Sequence, residues 1–374
     1  EDGYSGRHVV VDGKELLNFG SCSYLGLDQR EELKEGVIEA TRRYGTQFSY
    51  SRTYMQSPLY ERLEHALSAM TGAHALVTPT TTLGHVATLP VIIQKGDAVL
   101  VDAAVHASVQ TAAQLVPAPL TEIKHGSSHL ESEIARLAST HKRVHYLVDG
   151  LYSMHGDFAP FAQLAELLAR HPKLHLYVDD AHSTSWTGKN GRGTALEVLP
   201  DLERVVVALS LNKAFSAAGG AIIFQDETMH RVVRNSGGPM VFSGPVQPPM
   251  LGAALASATL HLDPEFAALQ EALLARIRLV RELATKHGIR FASDDIAPIF
   301  FVPCGQLTAM FILARRLHDK GLYMSPSGFP AVPRNKSGIR FTISLHNTED
   351  DIRTMMTSLS EALDELGVTQ ARIT

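Results

Sequence analysis

The stretch that decides the fold is LHLYVDDAHSTSWTGKNGRG, residues 174–193, followed by VVVALSLNKAF, residues 205–215. Each segment opens with a run of apolar and β-branched residues, which is typical of a strand buried on both faces of a sheet. Each run then ends in small polar residues. Asp179 and His182 follow the first run, and Ser210 and Lys213 follow the second. The pattern therefore predicts one strand that delivers an acid and a later strand that delivers a lysine.

This combination is what pyridoxal phosphate requires of a protein. A lysine amine bonds to the cofactor aldehyde, and a carboxylate keeps the ring nitrogen protonated so that the ring can accept electrons. The small residues after Lys213, in SLNKAFSAAGG, are expected to let a bulky ligand approach. The alternative interpretation is a solvated surface lysine and an ordinary turn that contains Asp179 and His182.

Composition excludes several other classes of protein. With 374 residues, 45% hydrophobic and 20% charged, the chain is an ordinary globular protein with room for two or three domains. A net charge of −5 argues against a nucleic-acid partner, which would select a basic face. No apolar run approaches the ~20 residues of a membrane span, and the N-terminal residues lack a signal-peptide core. Two isolated cysteines, Cys22 and Cys304, favour a reducing cytoplasm without disulfides or a structural metal.

Strand-like and helix-like segments alternate between about residues 73 and 224, which predicts an α/β domain with a mostly parallel sheet and helices on both sides. The predicted strands are His74–Thr78, Ala98–Asp102, Val144–Asp149, Leu174–Asp179, Val205–Ser210 and Gly220–Phe224. A helix over Ser57–Gly72 has Ser57 as its N-cap and Gly72 just past its end, and another covers Phe161–Arg170.

The pattern changes near residue 248 and predicts a smaller α+β domain. Its helices are Pro264–His287, Gln306–Lys320 and Glu349–Glu365, and its strands are Pro298–Val302 and Ile339–Leu345. We expect three parts: residues 1–45 as an arm and a helix that pack with the small domain, residues 46–247 as the large cofactor-binding domain, and residues 248–374 as the small domain.

Acids end three of the predicted strands, at Asp102, Asp149 and Asp179. Ligands of open α/β sheets bind at the carboxyl ends of strands, so these acids are expected to face one crevice. The competing interpretation is that each acid only caps the turn or helix that follows it.

Three further segments carry candidate residues. His106 follows the strand that ends at Asp102, and it either stacks on a planar ring and exchanges protons or merely caps a helix. Thr80–Thr82 precede an apolar helix whose first N–H groups attract phosphate, although Pro90 should break or kink that helix. Arg340 lies in an apolar strand and needs an anion, which is either a structural acid or a substrate carboxylate.

Taken together, these segments resemble the α-oxoamine synthases, pyridoxal-phosphate enzymes of the aspartate-aminotransferase fold (fold type I). The resemblance covers nearly the whole chain. It is carried by NFGSCSYLGL (18–27), DAAVHAS (102–108), VDGLYSMHGDFAPFAQLAEL (148–167), YVDDAHS (177–183), SLNKAFSAAGG (210–220) and PAVPRNKSGIRFTIS (330–344). It implies a mostly parallel seven-stranded sheet in the large domain. The lysine segment and the tail are most similar to the branch that makes α-hydroxyketone autoinducers.

The resemblance also implies roles for individual residues. Lys213 would be the internal aldimine lysine, Asp179 the partner of the ring nitrogen, and His106 the residue stacked on the ring. The other implied contacts are His182 and Ser153 with the ring oxygen, Asp149 beside the cofactor, Thr81, Thr82 and Ser210 with the phosphate, Ser243 with the phosphate across a dimer interface, and Arg340 with the substrate carboxylate.

Several positions depart from the family pattern. Thr80–Thr82 replace a Ser-Gly-aromatic phosphate loop, and Gly244 replaces a threonine after Ser243. Cys22 stands in place of an asparagine, while Met55 and Tyr60 replace a glycine and a histidine. Because Cys22 and Tyr60 are expected on the substrate side, the family's usual substrates cannot be assumed.

The function implied is a decarboxylative Claisen-type condensation of an α-amino acid with an acyl thioester, carried by CoA or an acyl carrier protein. The products are an α-aminoketone, CO2 and a free thiol. A homodimer is expected from the same likeness. The alternatives are another reaction on this fold (aldol cleavage, racemisation or transamination), a subunit that has lost catalysis, or an unrelated α/β binding protein.

Overall fold

The computed structural model describes residues 3–200 and 202–367. Its strands are β1 (Gly3–Tyr4), β2 (His8–Val11), β3 (Lys14–Asn18), β4 (His74–Thr78), β5 (Ala98–Asp102), β6 (Leu120–Ile123), β7 (Val144–Asp149), β8 (Leu174–Asp179), β9 (Val205–Ser210), β10 (Gly220–Phe224), β11 (Ile299–Gly305), β12 (Leu322–Tyr323), β13 (Ser325–Ser327) and β14 (Ser337–Thr342).

The α-helices are α1 (Glu31–Tyr44), α2 (Pro58–Thr71), α3 (Thr81–Ile92), α4 (Ala107–Ala113), α5 (Leu130–Thr140), α6 (Phe161–Arg170), α7 (Thr194–Val198), α8 (Glu227–Ser236), α9 (Gly238–Phe242), α10 (Pro248–His261), α11 (Phe266–His287), α12 (Leu307–Asp319) and α13 (Glu349–Leu366). In the described ranges no helix is long and apolar enough to cross a membrane.

The larger of two compact units comprises residues 30–152 and the described part of 158–266. Its seven-stranded sheet has the order β4-β10-β9-β8-β7-β5-β6. The strands from β9 to β6 pair in parallel, whereas β10 runs antiparallel to both β9 and β4. The six strands predicted from apolar runs have the predicted bounds. β6 was missed because LTEI is a short, half-exposed edge strand with no apolar run.

Both faces of this sheet are buried, which explains the continuous apolar runs. Along β5, Ala98 and Leu100 belong to one buried cluster, and the alternating Val99 and Val101 belong to another. The helix signals also hold in α2, where Leu59 N–H donates to Ser57 Oγ over 3.2 Å and Gly72 has a φ of 75°. The expected break at Pro90 does not occur, because α3 continues through that residue to Ile92.

The smaller unit comprises residues 153–157 and the described parts of 1–29 and 267–374. It contains an antiparallel sheet in the order β11-β14-β13 and a second sheet in the order β1-β2-β3-β12. Strands β1 to β3 form where the sequence predicted only an arm.

The predicted domain boundaries differ from this division. Helix α1 belongs to the larger unit, where it crosses α10 so closely that a Cβ on Gly252 would lie 2.1 Å from Gly36 O. Helix α10 was not predicted because it is apolar around most of its circumference and shows no single stripe. The predicted start of the small domain at residue 248 therefore falls about twenty residues too early.

Candidate active site

A cavity of about 320 Å³ opens at the carboxyl ends of the large sheet. It is lined by Thr80, Thr81, Thr82, His106, Ser108, Asp149, Leu151, Asp179, Ala181, His182, Ser210, Asn212 and Lys213. These residues follow β4, β5, β7, β8 and β9, which all run in one direction, so their carboxyl ends meet at one edge. Eight predicted site residues are thereby brought together: Lys213, His106, Asp179, His182, Asp149, Thr81, Thr82 and Ser210.

Two carboxylates stand side by side in the wall of this cavity. Asp149 and Asp179 are register partners at the ends of β7 and β8, and both are buried. Burial opposes ionisation of Asp179, but His85, Lys213 and His106 outweigh it and hold its pKa below the ordinary value. Burial and the adjacent Asp179 charge raise the pKa of Asp149 well above its ordinary value. Of the two neighbouring acids, Asp179 is therefore the one that ionises more readily, and Asp149 is the one that retains its proton more strongly.

The half-buried Lys213 lies in a tight connection between β9 and β10. Leu211 N–H donates to Gly219 O over 3.1 Å, and Ser216 N–H donates to Lys213 O over 2.9 Å. The sequence suggested that the small residues after Lys213 make room for a ligand, but Gly219 and Gly220 do not line the cavity. Instead, a Cβ on Gly220 would lie 2.7 Å from the Thr81 backbone. The glycine pair therefore lets β10 pack against the start of α3.

The start of α3 is a capped helix N-terminus at the edge of the cavity. Thr80 is the N-cap, and its Oγ1 accepts a hydrogen bond from Leu83 N–H over 3.0 Å. Gly84 N–H donates to Thr80 O over 2.9 Å. The N–H groups of Thr81 and Thr82 occupy the first turn, where a helix attracts phosphate.

His106 has the capping role, which is one of the two roles considered for it. It is the N-cap of α4, and its Nδ1 accepts a hydrogen bond from Ser108 N–H over 3.2 Å. Its own backbone N–H donates to Asp149 Oδ1 over 3.1 Å. Partial burial, with Lys213, lowers the pKa of His106. The neutral ring, with Nδ1 occupied as an acceptor, carries its proton on Nε2.

Residues 14–359 match the family model for aminotransferase class I and II. The chain belongs to the aminotransferase class I and II family. It is 29% identical to an 8-amino-7-oxononanoate synthase from Symbiobacterium thermophilum, over 96% of this chain and 91% of that one. It is 30% identical to the synthase of the same name from Maricaulis maris, over 96% and 89%.

Solved structures show the same fold. A serine palmitoyltransferase from S. paucimobilis with a bound PLP–myriocin aldimine superposes with a TM-score of 0.91 at 24% identity, covering 98% of this chain and 92% of that one. An 8-amino-7-oxononanoate synthase from Francisella tularensis superposes with a TM-score of 0.77 at 20% identity, covering 94% and 98%. The predicted resemblance to α-oxoamine synthases and the predicted fold type are confirmed.

Within this aminotransferase-family domain, the third strand-end acid does not line the cavity. Asp102 accepts hydrogen bonds from Ala104 N–H over 2.8 Å and from the Tyr146 hydroxyl over 3.0 Å, and its Oδ2 lies 3.0 Å from His125 Nδ1. It lines a separate cavity of about 310 Å³. The expectation of one crevice for all three acids is wrong, because Asp102 is committed to its own turn and to these neighbours.

Two other predicted residues of the family pattern also lie outside the cavity lining. Tyr60 is 1% exposed, its hydroxyl accepts from Val246 N–H over 2.6 Å, and Arg52 lies 3.7 Å from its ring centroid. Burial raises the pKa of Tyr60 to about 12. These contacts give Tyr60 a structural position, which corrects the prediction that it binds substrate. Ser243 is half-buried, and its hydroxyl donates to Pro239 O over 2.6 Å.

Ser153, Cys22 and Arg340 lie together in the smaller unit. Arg340 extends from β14, and its Nε donates to Ser153 O over 2.6 Å. Its Nη2 lies 3.9 Å from Cys22 Sγ. Among the residues that the structure describes, Arg340 thus faces a carbonyl and a thiol, and not the structural acid that the sequence left open as the alternative.

Sequence reasoning missed one residue beside Asp179. His85 is fully buried in α3, and its Nε2 lies 3.1 Å from Asp179 Oδ2. The sequence did place His85 on the same side of α3 as Thr81, because the two positions are one helical turn apart. A histidine within an apolar helix gave no indication of its partner.

Proposed function

We propose that this chain is a pyridoxal-phosphate-dependent C-acyltransferase that condenses an α-amino acid with an acyl thioester. The products are CO2, a free thiol and an α-aminoketone. The observation that carries the proposal is the single cavity that gathers Lys213, the ionised Asp179 and the N-terminus of α3 in a chain of this family. The likeness to 8-amino-7-oxononanoate synthases supports the choice among the reactions of the fold.

The residues of the cavity fit pyridoxal phosphate. Lys213 offers an amine for the aldehyde, Asp179 offers a charge for the ring nitrogen, and Thr81 and Thr82 offer N–H groups for the phosphate. When bound, the cofactor supplies a covalent handle for the substrate amine and an electron-accepting ring. His106 would stack on the ring and Ser210 would donate to the phosphate.

Two more residues complete the proposed cofactor contacts. His182 lies in the cavity wall and Ser153 follows two residues after Leu151, which also lines the cavity. Both would contact the ring oxygen. Asp149, whose pKa is raised by burial and by the Asp179 charge, would lie beside the cofactor.

Proton transfers are assigned to groups of this chain. Lys213 Nζ would remove the proton from the substrate Cα, since it is the cavity amine. His106 would donate its Nε2 proton to the thioester carbonyl oxygen, which gains charge as the new carbon–carbon bond forms. The carbonyl re-forms as the thiolate leaves and takes up the proton from that oxygen. The carboxylate is then lost as CO2, and the Lys213 ammonium would return its proton to the carbon that CO2 has left.

Arg340 would bind the substrate carboxylate with its guanidinium. We expect Arg340→Lys to raise the KM for the amino acid about tenfold, with a smaller change in kcat, because lysine keeps the charge and loses the two-pronged hydrogen bond. Steady-state kinetics with varied amino acid measures both. Arg276→Lys is the matched control, since Arg276 Nε donates to Asn347 O over 2.8 Å in the same unit. An equal KM change in both variants would contradict the assignment.

The protein is further proposed to act as a homodimer in the cytoplasm. Ser243 would reach the phosphate of the partner's site, and Cys22 would contact the substrate. Exposed apolar side chains in the larger unit, which contains Ser243, support a partner, since Phe242 is 89% exposed and Tyr54 is 87% exposed. Both cysteines are free thiols, which suits a reducing compartment.

The test of the function is thioester-dependent CO2 release. The protein loaded with pyridoxal phosphate is supplied with each of the twenty amino acids, with and without acyl-CoA or an acyl carrier protein thioester. We expect one amino acid to release CO2 and free thiol in equal amounts, only when the thioester is present. CO2 release without thioester, amino transfer to a keto acid, or no turnover by fully loaded protein would each reject the proposal. Borohydride-reduced protein is the blank.

A further inference from the structure

One buried histidine joins two residues on the same face of β8. Tyr177 and Asp179 are two positions apart in that strand, so their side chains point to the same side. His85 of α3 lies between them. Its Nδ1 is 2.8 Å from the Tyr177 hydroxyl, and its Nε2 is 3.1 Å from Asp179 Oδ2, with the N–H direction off the line to that oxygen. All three residues belong to the larger unit.

The proton positions follow from the partners. An ionised Asp179 can only accept, so the histidine nitrogen that faces it must carry a proton. Burial keeps the Tyr177 hydroxyl protonated, and it can donate to Nδ1. Asp179 Oδ1 in turn accepts from Ala181 N–H over 3.1 Å. The carboxylate therefore accepts one hydrogen bond from its own turn and lies in close contact with the Nε2–H of His85 in α3, and the two contacts together restrict rotation about its terminal bond.

We propose that His85 is a positioning residue that orients the Asp179 carboxylate toward the ring nitrogen of the bound cofactor, with Tyr177 fixing the histidine tautomer. The inference rests on the proposed function. A buried carboxylate with a single contact would be free to rotate. Part of the free energy of its interaction with a cationic ring would then be spent on ordering the carboxylate when the cofactor binds. The contact with His85 orders the carboxylate before the cofactor binds and so lowers this cost.

The test compares two probes on the apo-protein by equilibrium titration. One is pyridoxal phosphate, and the other is its analogue with a carbon–hydrogen group in place of the ring nitrogen. We expect His85→Leu to raise the Kd for pyridoxal phosphate about 10- to 100-fold and the Kd for the analogue no more than about threefold. The analogue has no ring nitrogen for Asp179, so the orientation of the carboxylate matters little to it. A merely structural role would weaken both probes alike.

Conservative variants distinguish the roles of the two imidazole nitrogens of His85. Glutamine places its amide N–H near the Nε2 position, so His85→Gln should stay within about threefold of the wild-type Kd. Asparagine reaches only the Nδ1 position, so His85→Asn should behave like His85→Leu, and it replaces His85→Leu if that variant does not fold. His145→Leu is the matched control, because His145 is also buried with its Nε2 3.3 Å from an acid, Asp97. Its Kd for both probes should equal that of the wild type.

The outcomes are separable. If the wild-type protein binds no pyridoxal phosphate, the proposed function fails. If the wild type binds it, but His85→Leu or His85→Asn weakens both probes equally or matches His145→Leu, the positioning role of His85 is wrong while the function stands.

Discussion

Replacing Lys213 with alanine is expected to lower kcat for thiol and CO2 release at least about 1000-fold, since the variant loses both the cofactor linkage and the base at the substrate Cα. The fold should survive, because the turn is held by main-chain bonds that alanine keeps: Leu211 N–H to Gly219 O and Ser216 N–H to Lys213 O. Two measurements check this result. One is initial rate, and the other is the mass of the protein after borohydride treatment with the cofactor.

In the wild type, borohydride should fix one cofactor mass on the peptide that contains Lys213, and in the variant it should fix none there. Lys189→Ala is the control, since Lys189 is an exposed lysine of the same unit. Near-normal turnover by Lys213→Ala, or a fixed cofactor on another lysine of the wild type, would contradict the assignment.

Asp179→Asn is expected to have the second largest effect. The change keeps the shape of the side chain but removes the charge that would face the ring nitrogen. A hydrogen bond to a charged group contributes about 1.5–3 kcal/mol, so we expect the Kd for pyridoxal phosphate to rise about 10- to 100-fold, with a fall in kcat of at least that size. Fluorescence titration of the apo-protein and initial rates measure the two quantities.

Asp102→Asn is the matched control for Asp179→Asn. Both acids end strands of one sheet, and both are buried, but Asp102 lies in the other cavity. Its replacement should lower stability and leave the cofactor Kd within about threefold of the wild type. Equal effects of the two substitutions on the Kd would show that Asp179 has no special relation to the cofactor.

Asp179 and its neighbour Asp149 differ in their expected pH dependence. Asp179 has a lowered pKa in the folded protein, so its ionisation stabilises the fold above its unfolded pKa of about 3.9, and this stabilisation is lost as the pH falls through the lower folded value. Asp149 has a raised pKa, so it favours the fold at low pH and opposes it as the pH rises past its unfolded value. Cofactor binding through Asp179 should therefore not weaken between pH 5 and 7.

Much of the site was predictable because its residues lie at the ends of strands with an unmistakable pattern. A strand buried on both faces must be apolar throughout, so the first polar residue after each run marks the edge where ligands bind. Lys213, Asp179 and Asp149 were found in this way. The same rule failed for Asp102, because a carboxylate at a strand end can also be consumed by its own turn and by a histidine from elsewhere.

The sequence by itself determined the six main strands of the large sheet, the capped helix α2, and the acid and lysine that face one cavity, because each depends on local periodicity or on chemistry at a strand end. Only the tertiary structure decided that Tyr60 is enclosed, that α1 and α10 cross within the larger unit, and that His85 reaches Asp179. Those contacts join residues tens to hundreds of positions apart. They depend on strand register and on which face of a helix meets the sheet, and a local pattern does not encode either one.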